Sequence, residues 1–223
     1  MTFNFMKITK LILTALLGAF INVASAENYS LSTRYASDYF FRGALNSEEA
    51  IQASVGVNGE ALGLNYSVGA FTNQSVSSGG SDSYIIAGGG AKSFADGLLE
   101  GYIGLNHVED VPGNALLEAE VSIGINTLLS PRVSVFRNLK DSLYTYELVL
   151  SHSIDVGLGD LAIGGAVGNT DLSNAQNETY YSTGLGLSRS ISEKALASLD
   201  LTRVDSDLIS EEYVIGLGIS VNF

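Results

Sequence analysis

The chain has 223 residues, 46% of them hydrophobic, with 24 acidic against 11 basic side chains and a net charge of −13. That balance excludes a nucleic-acid partner, whose phosphates demand the opposite sign. The absence of cysteine excludes both a disulfide framework and a thiol catalyst.

Residues 1–26, MTFNFMKITKLILTALLGAFINVASA, place Lys7 and Lys10 before an apolar run and end on Ala24-Ser25-Ala26. This is the three-part pattern of a cleaved signal peptide, and its apolar run is shorter than the roughly 18–20 residues a spanning helix needs. The mature, exported chain is expected to begin at Glu27. It then carries nine basic against 24 acidic residues, a net charge of −15.

From Tyr29 the chain alternates with period two, which predicts strand. Tyr29, Leu31, Thr33, Tyr35, Tyr39 and Phe41 fall on one side, and Ser30, Ser32, Arg34, Asp38 and Arg42 on the other. The alternation returns over 51–58 and 62–69. Residues 83–93 (SYIIAGGGAKS) also read as strand, although glycine blurs which face is which. Leu99, Ile103 and Leu105 then oppose Glu100, Tyr102 and Asn106, and Leu117 to Ile125 oppose Glu118, Glu120 and Ser122. Further strands are predicted at 131–138, 143–154, 160–169, 179–189, 194–204 and 211–223, twelve in all.

The connections alternate too. GALNSEE, TNQSVSSGGSD, VEDVPGN, NLKDS, NTDLSNAQNE and DSDLIS read as longer polar loops, with tighter links between them, which is the rhythm of an up-and-down meander facing two compartments. A local repeat, apolar-Gly-apolar-Asn/Ser, recurs at VGVN 55, LGLN 62, IGLN 103, IGIN 123, LGLS 185 and LGIS 217, its glycine on the polar side. With odd strands rising from the periplasm, five of the six lie near the periplasmic end and leave little side-chain volume in that part of the wall.

Strands of about ten residues suit a transmembrane antiparallel β-barrel, lipid outside and a polar interior, better than a soluble sandwich, whose strands average about five or six. The expected termini are periplasmic and the expected strand count is twelve, with ten as the alternative. The last strand puts Tyr213, Ile215, Leu217, Ile219, Val221 and Phe223 on one face. A terminal Phe223 on such a strand looks like the assembly signal of Gram-negative outer-membrane proteins, read by the barrel-assembly machinery.

The opening LSTRYASDYFFRGALNSEEAIQASVGV resembles the start of the TorF family of porins, formerly a conserved-hypothetical group. Ser37, Asp38, Tyr39, Phe41, Arg42 and Gly43 match its SDY-aromatic-aromatic-RG segment. The resemblance is specific over about 25 residues and elsewhere rests on length, hairpin rhythm and Phe223. It implies an outer-membrane barrel with pore activity and supplies no substrate or catalytic residue.

Enzyme chemistry has weaker support. Ser151, His152 and Ser153 adjoin, so strand parity sends the histidine to the face opposite both serines, and His107 falls at a strand end beside Glu109 and Asp110. The loop DSDLISEE offers Asp205, Asp207, Glu211 and Glu212 as hard oxygen ligands but lacks the glycine turn of a calcium loop. No cofactor is expected. The partners expected are outer-membrane lipid and lipopolysaccharide.

The predicted lumen face holds Arg34, Asp38, Phe40, Arg42, Glu100, Glu118, Glu120, Glu147 and Asp200, with acids exceeding bases six to two. Twelve strands stand between the side-chain-filled eight and the water-filled sixteen. Three readings follow: a narrow, cation-preferring diffusion channel, a closed barrel that scaffolds the envelope or displays loops, and, more weakly, a lipid-modifying enzyme. Tyr39 and Phe41 are expected at the outer lipid interface, while Arg34, Asp38 and Arg42, about 13 Å apart along one strand, require partners on neighbouring strands or across the lumen.

Overall fold

The computed structural model describes residues 28–61, 63–77, 80–111, 114–173 and 176–223. The expected signal peptide and the expected new terminus at Glu27 lie outside the described residues. Twelve strands run through them: β1 (Asn28–Phe41), β2 (Ala44–Ala61), β3 (Leu64–Ser75), β4 (Asp82–Phe94), β5 (Leu99–Val111) and β6 (Asn114–Ile125), then β7 (Arg132–Asn138), β8 (Tyr144–Asp155), β9 (Asp160–Ser173), β10 (Gln176–Ser190), β11 (Ala195–Ser206) and β12 (Glu212–Asn222). Each pairs antiparallel with its chain neighbour and β1 pairs with β12, so the sheet closes into a barrel.

The register carries one parity around the whole wall. Arg34 lies opposite Gln52 and Gly218, Glu118 opposite Asn106 and Asn138, and Asp200 opposite Gly186 and Gly216. All of these positions belong to the inner face, where Asn73, Glu118 and Ser122 are almost wholly buried. The alternate positions form an apolar outer belt, with Ile103 67% and Leu217 55% exposed. Such a distribution, apolar outside and polar inside, is that of a barrel surrounded by hydrocarbon. In that setting the ladder satisfies backbone groups that lipid could not.

Two expectations need correction, and between them one open question is answered. First, the connections do not sort by length. β1 and β2 are joined by Arg42-Gly43 alone, and only residues 112–113 and 174–175 separate β5 from β6 and β9 from β10, whereas β6 and β7 are six residues apart. Polar segments such as GALNSEE continue the ladder as strand because hairpin pairing satisfies their backbone groups. Strand β4 resolves its two faces: Ser83, Ile85 and Ala87 lie opposite the inward Asn73, Phe71 and Gly69, so Ile86 faces out. Second, Gly63 of the glycine repeat sits in a turn at φ +71°, outside the ladder. The space above Gly104 is not empty either: the Tyr102 ring covers it.

One hairpin leaves the wall. The β1–β12 ladder stops at Ala36↔Gly216, five residues before β1 ends, and Ser37 Oγ accepts the next free β12 amide, that of Ile215, at 3.0 Å. On the other side the hairpin stays attached, with Val76 N donating to Glu49 O at 2.7 Å and Ser81 N to Asn46 O at 3.0 Å. Glu49 has a left-handed backbone (φ 47°) at the point of departure, and the β1–β2 register slips between Tyr39 and Phe40. The tip bends into the barrel. Gly43 is buried against Tyr180, Glu178 and Ser206 of β10 and β11, and Ser206 Oγ donates to Gly43 O at 3.3 Å.

Candidate functional site

The inward hairpin and the wall it meets form the site. The tip is a two-residue turn with φ +51° at Arg42 and +83° at Gly43, the paired left-handed conformation of a type I′ hairpin. Glycine suits the second position. Arg42 is carried across the lumen to β6 and β7, where Nη1 and Nη2 donate to the two Glu118 oxygens at 2.5 and 2.6 Å. Its guanidinium also lies 4.5 Å from the Phe136 ring centroid and 4.9 Å from that of Phe41.

Parity at the outer interface does not hold for Tyr39. Its ring packs at 5.7 Å against inward Phe71, and its hydroxyl faces buried Ser83. The hairpin has left the wall by this point, so the alternation no longer sorts lipid from lumen. Phe41 stays with Arg42 at the tip. Phe40 packs on an inward apolar cluster of Ala36, Val204 and Val214. Asp38 accepts Ser37 Oγ at 3.0 Å and lies opposite exposed Glu48, and no ion pair reaches it among the described residues.

The remaining inward charges are ordered around the wall. Arg34 reaches over Gly216 to a bidentate pair with Asp200, its Nε 3.1 Å from Oδ1, and donates to Gln52 at 2.9 Å. Gln52 continues to Asn73 and Ser47. Arg132 pairs with Glu100 at 3.0 Å. Each of these arginines, like Arg42, is matched by one carboxylate. Among the described residues Glu120 and Glu147 receive only neutral donors: Asn106 and Ser122 for the first, the Tyr180 hydroxyl at 2.8 Å for the second. Both border a cavity of about 400 Å³ that also touches Glu100, Arg132, Phe136 and Ser151 and reaches the β6–β7 turn at Ser130. Phe136 thus belongs both to the cavity and to the contact that holds Arg42.

Arg132, Phe136, Glu178 and Tyr180 were not singled out from the sequence. Strand parity within 131–138 and 179–189 places all but Glu178 on the inner face, so the signal was present. Phe136, Glu178 and Tyr180 matter because the hairpin meets them, and Arg132 because it borders the cavity and pairs with Glu100. Glu178 is 1% exposed, and its Oε1 has no hydrogen-bond partner among the described residues.

The other candidates stay apart. His152 faces outward while Ser151 and Ser153 line the inner face, and His107, 3.8 Å from Glu109, is also on the outer face. In the β11–β12 loop Asp207 accepts the Thr179 amide and Arg203 engages Glu211 and Asp205. The Tyr213 hydroxyl and then Arg203 hold the Glu211 carboxyl below its usual range by hydrogen bonding to its charged form. Among the described residues no three metal-ligating side chains converge.

No protein-family model and no curated protein matches the chain. Solved structures do. The KdgM porin superposes with a TM-score of 0.58 at 11% identity, covering 87% of this chain and 99% of the porin. The NanC porin gives 0.55 at 11% identity over 86% and 98%. The COG4313 outer membrane channel from Pseudomonas putida F1 gives 0.56 at 8% identity over 89% and 96%. At such identities the likeness is one of fold: the chain has the closed twelve-stranded architecture of outer-membrane porins over nearly its whole described length.

Proposed function

We propose that the chain is a porin-like channel of the Gram-negative outer membrane, passing small solutes or ions by passive diffusion with a preference for cations. The observation that carries this is the acidic cavity inside a closed barrel with an apolar exterior, where Glu120 and Glu147 remain after every inward arginine has been matched. Surplus carboxylates along a confined passage favour cations. They would repel a polyanion such as the oligogalacturonate held by one KdgM structure. In this reading the termini are periplasmic, lipopolysaccharide surrounds the end carrying the β1–β2 turn, and Phe223 on β12 addresses the barrel-assembly machinery. Arg34, Asp38, Phe40, Arg42, Glu100, Glu118, Glu120, Glu147 and Asp200 are the residues we assign to the passage or its constriction. We assign no catalytic residue.

The hairpin across the lumen favours a second reading, a closed barrel that scaffolds the envelope. A planar bilayer under a KCl gradient separates the two. The expected result is a reversal potential of cation sign that moves towards zero in the Glu120→Gln/Glu147→Gln variant. An anion sign would overturn the selectivity, and silence from both the wild type and Arg42→Asn would establish the closed barrel.

A further inference from the structure

The place where Arg42 ends is built by the opposite wall. Glu118 and Phe136 project from neighbouring strands β6 and β7, whose register puts Glu118 beside Asn138 and Phe136 beside Glu120. Both are held by the barrel ladder whether or not the hairpin is present. Together they offer a carboxylate with two oxygens in bidentate position and an aromatic face 4.5 Å from the bound guanidinium carbon. This combination suits a planar, delocalised, weakly hydrated cation, because the fork matches the carboxylate and the ring quadrupole attracts the face.

The occupant, by contrast, comes from another part of the barrel. Arg42 arrives on a two-residue turn from the far side of the lumen, and it is a non-glycine residue in the left-handed region at φ 51°. Among the described residues both Glu118 oxygens receive their hydrogen bonds from Arg42 alone. With the hairpin in place the Glu118 side chain is 3% exposed, its charge buried against the one cation that meets both of its oxygens. The wall presents a carboxylate shaped for a forked cation, and the chain supplies one on a tether.

We propose that Glu118 and Phe136 form a binding site for small guanidinium- or amine-bearing organic cations, with Arg42 as a built-in stand-in that such solutes displace. The site names the substrate class of the passage and thus rests on the channel reading. A tethered ligand competes at an effective concentration on the order of millimolar, so free solute binds the wild type weakly and passes on when the turn returns. Phe136 connects the site to the acidic cavity beneath it, where Glu120 and Glu147 continue the same sign of charge.

Calorimetric titration of the full-length protein in detergent micelles with methylguanidinium tests the site without requiring conductance. Arg42→Asn removes the stand-in with a residue that tolerates the left-handed backbone. It is expected to bind methylguanidinium at least tenfold more tightly than the wild type. Adding Glu118→Gln should abolish the gain, and adding Phe136→Leu, which spares the carboxylate, should weaken binding roughly two- to fivefold. Equal affinity in the wild type and Arg42→Asn, or undiminished binding by the Glu118→Gln double variant, would overturn the proposal. The bilayer separates its failure from that of the channel reading: binding without conductance removes the channel and keeps the site, and conductance through Arg42→Asn that methylguanidinium neither blocks nor binds removes the site and keeps the channel.

Discussion

At the scale of single residues, Gly43 is the most constrained position of the turn. Its φ of +83° lies where an L side chain is strained, and a Cβ there would sit 2.6 Å from the Tyr180 Cβ and 3.0 Å from Glu178 Oε1. Gly43→Ala is expected to cost about 1–2 kcal/mol from the backbone alone, with the Tyr180 contact adding to it, and so to release the tip. Trypsin should then cut the folded protein after Arg42 faster than it cuts the wild type. Gly97→Ala is the control, since Gly97 has the same kind of backbone (φ +86°) with nothing within 4 Å; it should leave that cleavage rate unchanged. The inward direction of Arg34 was legible from alternation. Its partner was not, because Asp200 lies two strands away and is reached over Gly216, whose missing side chain makes the room.

At the scale of elements, the departure of β1 from β12 is the feature with the clearest physical signature. Above Ala36↔Gly216 the edge of β12 lacks its β1 partner, and the Ser37 hydroxyl serves the Ile215 amide in place of a strand carbonyl. A side-chain acceptor at an exposed position holds an amide less firmly than a continuous ladder does. Amide hydrogen exchange is therefore expected to be faster at Tyr213 and Ile215 than at Leu217 and Ile219, which remain opposite Tyr35 and Thr33; uniform protection along β12 would show that the hairpin returns to the wall. The alternation in β5, β6 and β12 could be read directly because each of those strands separates apolar outer residues from inward ones over most of its length. In β1 the same reading held to Ala36 and misplaced Tyr39, since beyond Ala36 the strand has no lipid side. The loops were misread for a related reason: composition reports polarity, and a hairpin that projects beyond the apolar belt is polar and still fully paired.

For the whole molecule, closure makes opening cooperative, because breaking any one seam exposes backbone groups on two strands. Unboiled protein in detergent should therefore migrate on a gel differently from boiled protein, and identical migration would argue against a stable closed barrel. Period-two alternation, with apolar residues on one parity and Ser, Asn, Gly and charge on the other, was enough to specify strands and a barrel with an apolar outside, since each strand's pattern depends only on its own residues and the two solvents it divides; closure settled the number at twelve rather than ten. Where the SDYFFRG segment goes was decided only in three dimensions. Its course depends on Arg42 meeting Glu118, 76 residues away, and on Gly43 fitting between Tyr180 of β10 and Ser206 of β11. Such contacts exist only once the barrel has closed and brought opposite strands face to face, so no local pattern could carry them.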